Sequence, residues 1–504
     1  MKRILSKWLA TAVLVAILSL LVFFRWQIAT VKIFDADEMN HLHAAWLMAN
    51  GALPYRDFYV GYPPTFYLLL TPFTFFLPPS DFLPVLLRQV FFFIFLLTLL
   101  LFYKLARLAL SREFSLIAMI LLTTSVFFIE KGVEIRVDLL VILLWLLSAY
   151  LLITKHPRFF WAGLSSGLMA SLTQKSIYGV AAVGFLALFV CWKSTTNKVL
   201  PRRTVSFIKT FSRFLLAAAI VPFGLLLYAA NNDLIRYLPD YLVRYPLLLA
   251  SNYQWDHPWY HLGFINNFTS YTYFYYFYKG SLLWLRVTQI VWVAAILFTS
   301  FWVLKHLIKI RSLTAQRVKF LFVLTPGLFF SVAYLLTISM KIPQYWLIPT
   351  PFVVLSLAFG LSELASLSKY LKRALLIAII LGFLPLTTEL QRAWDGDIKN
   401  KNNFRQLSDI SAVLNFTKPT DRGYDGTGSY LFRPDCYYFS LSLPQEIPSP
   451  IFRDLGESLA ADKCDFILKG PFNHMIDWNT GVNQYVEKNF TPHPSAPDLL
   501  IKNR

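Results

Sequence analysis

The chain has 504 residues, 56% of them hydrophobic and 17% aromatic, with a mean hydropathy of +0.52. Only 15% are charged, against about 25% in an average soluble domain; a soluble globular protein is excluded, and an α-helical polytopic membrane protein is implied. The net charge of +19 is not a nucleic-acid footprint: from Gln391 onward 14 acids face 13 bases, so the excess lies between the apolar segments of the first 390 residues, where it orients a membrane protein.

Met1 to Lys7 and the apolar run behind them read as a retained signal anchor, because the run is long enough to span and no small-residue cleavage site follows it. Eleven spans are predicted, at 7–28, 84–104, 113–130, 137–154, 159–174, 176–192, 213–230, 282–304, 320–338, 345–361 and 373–390, each near the ~20 residues needed to cross. The segment 63–79 is apolar but short and bracketed by prolines, so it reads as interfacial or re-entrant. Basic loops after the second, fourth, sixth, eighth and tenth spans fall on one side when the spans alternate; that side is the cytoplasm, with the N-terminus in it.

The outer side then holds the chemistry. The first outer loop, 29–83, carries Asp35, Asp37 and Glu38. Asp35 suits a helix N-cap, with Glu38 three residues on completing a capping box, and the helix runs to Asn50-Gly51. Asp37 and His41 share a face at i, i+4, so the carboxylate could orient or pair with the imidazole. The plain alternative is a solvated, capped amphipathic helix on the membrane. A divalent metal held by Asp37, Glu38, His41 and His43 is a further candidate, although these four do not share one helical face.

The second outer loop carries Glu134, Arg136 and Asp138 at the mouth of an apolar run. Arg136 and Asp138 are either a snorkelling pair at the interface or part of a second acidic site with Arg136 ready for an anion. Arg88 lies among apolar neighbours, and intramembrane ionisable groups are functional candidates. With Lys175 and Lys341 it forms a set of outer-side cations suited to a lipid phosphate. The tail, 391–504, has soluble composition and enough length for one small extracytoplasmic domain. Its short apolar runs between Gly/Pro/Asp turns suggest α/β structure. Cys436 and Cys464 could pair there if the compartment is oxidising. Phosphate-loop, dinucleotide-fold, zincin and nucleophile-elbow motifs are absent from the sequence.

Taken together, the Asp37-Glu38 pair after the first span, the Gly51-x-x-Pro54-Tyr55-Arg56-Asp57-Phe58 turn and the Pro63-Pro64-x-x-Tyr67 entry resemble bacterial GT-C glycosyltransferases. Within that superfamily the chain resembles the polyprenyl-phosphate-sugar-dependent group that includes protein O-mannosyltransferases and the aminoarabinose transferase of lipid A. Arg136-x-Asp138 looks like their second acidic motif, and Gln344-Tyr345-Trp346-Leu347-Ile348-Pro349 like their late Tyr-x-x-x-Pro segment. The likeness is good over about residues 1–200, weak over 320–360 and nearly absent in the tail.

The resemblance implies a GT-C fold in the bacterial inner membrane. It implies a polyprenyl-phosphate-linked sugar donor and a lipid, glycan or protein acceptor. Asp37 then matches the catalytic acid, with Glu38 beside it and Asp138 at the second acidic position. His41, Arg88, Arg136, Lys175, Lys341 and Tyr345 are the substrate-binding candidates. One position departs: relatives near the aminoarabinose transferase have Lys before Pro-Pro, where this chain has Tyr62, so Arg88, Arg136, Lys175 or Lys341 must meet the phosphate. The rival classes are a transporter or lipid flippase, or an inactive scaffold of the same fold. The transporter class calls for ionisable groups at mid-membrane and paired broken helices.

Overall fold

The computed structural model describes residues 2–195, 200–247, 296–297, 300–305, 308, 313–337, 346–368, 370–371, 374, 377, 402–438, 455–461, 464–470 and 480–503. Helix α1 (Lys2–Val31) hands over to α2 (Ala36–Ala49), α3 (Thr65–Phe76) and α4 (Leu83–Ala106). Then come α5 (Arg112–Thr124), α6 (Val126–Lys131), α7 (Val137–Ile153) and α8 (Phe159–Ala170). A 3-10 turn (Gln174–Ser176) leads into α9 (Ile177–Thr195), and α10 (Leu200–Asn231) follows. A π-helical turn (Asp240–Arg244), α11 (Ala315–Thr337) and α12 (Thr350–Leu367) complete the described part of the apolar region.

Among the described residues six helices are long and apolar enough to cross a membrane, and they coincide with the first, second, sixth, seventh, ninth and tenth predicted spans. The fourth and fifth predicted spans are shorter apolar helices, Val137–Ile153 and Phe159–Ala170. The third divides at Ser125 into α5 and α6. Arg25 of α1 meets that break, donating to the Thr123 carbonyl at 2.8 Å and to the Ile129 carbonyl, with Phe95 under its guanidinium. The predicted spans 282–304 and 373–390 lie mostly outside the described residues.

Segment 63–79 forms the 12-residue helix α3, too short to cross at ~1.5 Å per residue. It buries Phe66 and Tyr67 and exposes Phe75 and Phe76, the two-faced pattern of a helix lying along an apolar boundary.

The tail holds α13 (Phe404–Phe416), α14 (Leu455–Ala461) and α15 (Thr480–Asn489). Its strands are β1 (Gly423–Tyr424), β2 (Phe466–Leu468), β3 (Phe490–His493) and β4 (Ala496–Lys502), in the order β1-β2-β4-β3, with β1 and β2 parallel and the rest antiparallel. Ile467, Leu459 and Val482 form one small core. A disulfide joins Cys436 to Cys464, 28 residues apart in sequence. The tail rests on the first loop. Asn403 bonds the Val31 and Thr30 carbonyls, His43 meets Asp435 at 2.6 Å, and Tyr438 donates to the Tyr55 carbonyl at 2.6 Å.

Candidate functional site

The site begins where α1 ends. Asp35 caps α2, accepting from the Asp37 amide at 3.0 Å, while Glu38 accepts from the Asp35 amide at 2.9 Å. Both halves of the capping box are formed. At 3.6 residues per turn, consecutive side chains point about 100° apart: Asp37 turns toward the second loop and stays 30% exposed, while Glu38 is wholly buried.

Glu38 meets Arg88, which is buried to 1% exposure. Nε of Arg88 donates to Glu38 Oε1 at 2.8 Å, and Nη2 bonds Oε2. The Ile135 amide adds a bond to Oε1 at 2.9 Å. Arg88 also donates to the carbonyls of Lys32 and Ile33 and lies 4.0 Å over the Phe34 ring. A buried ion pair is tolerated only when its remaining donors and acceptors find partners. Here they do, and α4, α2 and the second loop are thereby tied together.

The second loop supplies the opposing charges. Lys131, at the end of α6, donates to Asp35 at 2.6 Å and to Glu134 at 3.2 Å, and Lys32 holds Glu134 at 2.7 Å. Burial works against an ionised Asp35, but Lys131 and Arg136 outweigh it and hold the carboxyl well below the usual carboxylate range. Arg136, the residue preceding α7, puts Nη1 2.6 Å from Asp37 and Nε 3.4 Å from Asp138. Asp138 sits in the first turn of α7, where the helix N-terminus favours a negative group. It is wholly buried, and its Oδ1 has no hydrogen-bond partner among the described residues. One guanidinium thus bridges an open carboxylate from the first loop and a closed one from the second.

Beside these charges stands an aromatic wall. The His41 ring packs 5.7 Å from Tyr62, 5.0 Å edge-on to Phe66 and 5.7 Å from Tyr67. Burial lowers its pKa to about 4, against the pull of Asp37, so the imidazole is neutral at pH 7. The Lys175 ammonium lies 5.6 Å from the Tyr62 ring centre, within electrostatic range of Asp138, Arg136 and Asp37. Gln174 bonds the carbonyls of Gly61 and Leu242, fastening the third loop to the first and to the π-helical turn.

Asp37, Asp138, Arg136 and Lys175 therefore converge, and three sequence expectations change. Asp37 does not pair with His41 across the helix turn; Arg136 takes that carboxylate, and His41 goes into the aromatic wall. Arg88 is not an open phosphate ligand: Glu38 and two carbonyls engage its guanidinium. Glu38, committed to Arg88, does not stand beside Asp37 as a second open acid. Lys341 and Tyr345 lie outside the described residues.

Along the sequence Glu134 stood out only with Arg136 and Asp138 at the mouth of the apolar run, and Lys32 and Lys131 had no assigned role. The signal was the density of charge in KGVEIRVD (131–138), directly before an apolar helix.

The set Asp37, Glu38, His41 and His43 does not fit a metal ion. These side chains diverge toward Arg136, Arg88, the aromatic wall and Asp435 respectively. Among the described residues no group of three or more His, Cys, Asp or Glu side chains is arranged to hold one. Between Asp37 and Asp138, the position a bridging cation would take is filled by Arg136.

No family profile matches the chain, and no curated protein matches its sequence. Its structure is similar to that of ArnT from Cupriavidus metallidurans in the apo state, with a TM-score of 0.56 at 11% identity, covering 99% of this chain and 98% of that one. It is also similar to ArnT of the same organism bound to undecaprenyl phosphate, with a TM-score of 0.54 at 13% identity, covering 85% of each chain. The fold is thus the GT-C fold that the first-loop motifs and Arg136-x-Asp138 imply, and the likeness extends through the tail.

Proposed function

We propose that the protein is a membrane glycosyltransferase that moves a sugar from a polyprenyl-phosphate donor to an acceptor hydroxyl on the outer membrane face. The observation that carries this reading is the bridge from Asp37 through Arg136 to Asp138, built from the two loops whose acidic motifs resemble the GT-C enzymes. The ArnT fold and the undecaprenyl phosphate bound to one ArnT structure support it from outside the chain.

In this mechanism Asp37, the most open carboxylate of the cluster, takes the proton of the acceptor hydroxyl. The oxygen forms a bond to the anomeric carbon as the bond from that carbon to the phosphate oxygen breaks, and the electron pair leaves with the polyprenyl phosphate. One displacement with no covalent intermediate inverts the anomeric centre. Arg136 keeps its bonds to Oδ2 of Asp37 and to Asp138, so the proton goes to the other oxygen of Asp37 and the guanidinium stays in place beside the phosphate. The charge gathering on the leaving phosphate is met by fixed cations. Lys175 is the second of these: it stands over Tyr62, the residue in the place where relatives carry a lysine, so a cation from the third loop serves the position left by the first. The tail, held on the first loop through His43 and Tyr55, belongs on the same outer side, where the Cys436–Cys464 disulfide is stable.

The test compares envelope glycolipids and glycoproteins by mass spectrometry in cells with and without the protein, and in cells carrying Asp37→Asn. The expected result is one sugar modification that disappears in the deletion and in Asp37→Asn, while the variant accumulates at normal levels in the membrane. Full modification in Asp37→Asn would remove the assignment. An envelope whose sugars are unchanged but whose lipid carrier accumulates on one leaflet would favour a flippase.

A further inference from the structure

Tyr62, which stands where relatives carry a lysine, is held on both sides of its side chain. Gln174 donates to the Gly61 carbonyl at 3.3 Å, and the Tyr55 hydroxyl donates to the Tyr62 carbonyl at 2.7 Å. Pro63 follows, which confines Tyr62 to extended backbone. With the peptide groups before and after it fixed, the direction of the Tyr62 ring is fixed too. That ring lies 5.6 Å from the Lys175 ammonium and 5.7 Å from the His41 ring.

Tyr55, which holds Tyr62, is itself strained. Its φ is 67°, left-handed backbone that a residue with a bulky side chain rarely adopts. Such a conformation persists only where its surroundings over-determine it. Here two distant segments do so. The Tyr55 amide donates to the Phe58 carbonyl at 2.9 Å. The Tyr55 carbonyl accepts from the hydroxyl of Tyr438, 383 residues away, at 2.6 Å. That bond uses the one proton of the Tyr438 hydroxyl, so the Tyr241 hydroxyl, 2.6 Å away, is the donor to it. The Tyr438 carbonyl accepts from the Tyr59 amide at 3.0 Å, which fixes the tail residue at its backbone as well as its tip. One line of hydrogen bonds thus runs from Tyr241 in the π-helical turn to Tyr438 in the tail and on to Tyr55. The Tyr55 side chain carries it to Tyr62, beside Lys175.

We propose that Tyr55 and Tyr438 are positioning residues for the donor-phosphate end of the site: together they set the Tyr62 ring, and that ring sets the place of the Lys175 ammonium. The inference rests on the reading that Lys175 meets the donor phosphate. A lysine in the first loop would be placed by its own backbone. Here the cation comes from the third loop, and a ring within cation–π range gives the two loops a common register. The tail is then a working part of the site as well as a support for the first loop.

The experiment measures the binding of undecaprenyl phosphate and of undecaprenol, the same lipid without its phosphate, to the purified full-length protein by native mass spectrometry. The ratio of the two affinities reads the phosphate alone, because a loss of folded protein lowers both signals together. The parent should prefer undecaprenyl phosphate, and Lys175→Gln should lose most of that preference. Tyr55→Phe and Tyr438→Phe each remove one hydroxyl, and each should lower the preference about fivefold, the weight of one hydrogen bond. Because the two act in series, the double variant should lose no more than the larger single loss. Phe variants that keep the parental preference would overturn the positioning role and leave the donor reading in place. Losses that multiply in the double variant would also overturn it, since they mark two independent effects. A parent that holds both lipids equally, or a Lys175→Gln variant that keeps the preference, would remove the phosphate from Lys175 and the inference with it.

Discussion

The side chain of Gln406 bonds both backbone groups of Phe34. Its Oε1 accepts from the Phe34 amide at 2.7 Å and its Nε2 donates to the Phe34 carbonyl at 3.0 Å, both buried. A residue of the tail thus completes the backbone pairing of the segment that presents Asp35, Asp37 and Glu38. Removing the amide leaves two buried groups unpaired, at about 1–3 kcal/mol each. Gln406→Ala is expected to lower the melting temperature clearly, and Gln406→Glu, which keeps the acceptor but loses the donor, should fall in the same direction. Unchanged melting in both would mean that the tail does not support the first loop.

The Glu38–Arg88 pair is a folding element, and its two halves should be unequal to their sum. Breaking a buried pair from one side costs about 3–5 kcal/mol, because the other charge remains stranded. Glu38→Gln and Arg88→Met should each reduce folded protein sharply in a detergent melt. The double change Glu38→Leu with Arg88→Met should recover much of that loss, since an apolar pair of similar volume carries no stranded charge. A double variant as unstable as the sum of the singles would show that the cation is needed for more than packing.

Arg136 differs from Arg88 in facing an open carboxylate, and its geometry is planar. One guanidinium reaches Asp37 through Nη1 and Asp138 through Nε. A lysine ammonium is a compact charge and cannot span both. Arg136→Lys should therefore keep the charge and the fold but lose sugar transfer by about 10²-fold or more, the scale of a removed transition-state donor. Sugar-modified product measured at matched protein levels decides it, and near-parental product would exclude Arg136 from the chemistry.

His41 makes stability depend on pH. Burial lowers its pKa to about 4 in the folded protein, against about 6.5 in an unfolded chain. Below pH 6.5 the unfolded form binds the proton first, so the contribution is complete above 6.5 and is lost as the pH falls toward 4. The loss is on the order of 3 kcal/mol at most. Melting curves between pH 7 and 4.5 should slope less for His41→Gln than for the parent, and parallel slopes would rule the group out. Asp409 in the tail acts in the opposite sense. Burial raises its carboxyl to about 7, so its contribution is present at low pH and lost as the pH rises through 7.

Much of this protein was legible along the chain, because the physics involved is local. Hydropathy over some twenty residues places helices such as Leu83–Ala106 and Ala315–Thr337, and short-range hydrogen bonding predicts that Asp35 and Glu38 cap one helix. Proline brackets and length identify Thr65–Phe76 as too short to span. Helical spacing singled out Asp37, but it offered His41 as partner. The partner found is Arg136, 99 residues away.

That choice belongs to the tertiary structure. Which of several buried charges neutralises which depends on the packing of α1, α4, α6 and α7 around one point, and no window of sequence contains those distances. The same packing turned Arg88 from a candidate phosphate ligand into the counter-ion of Glu38 and enlisted Lys131 and Glu134. It also brought Gln406 to Phe34 across 372 residues. The sequence alone determined that the protein lives in a membrane and where its acids gather. Only the folded chain decided which acid stays open, because an ion pair out of water forms where desolvation leaves it no alternative partner.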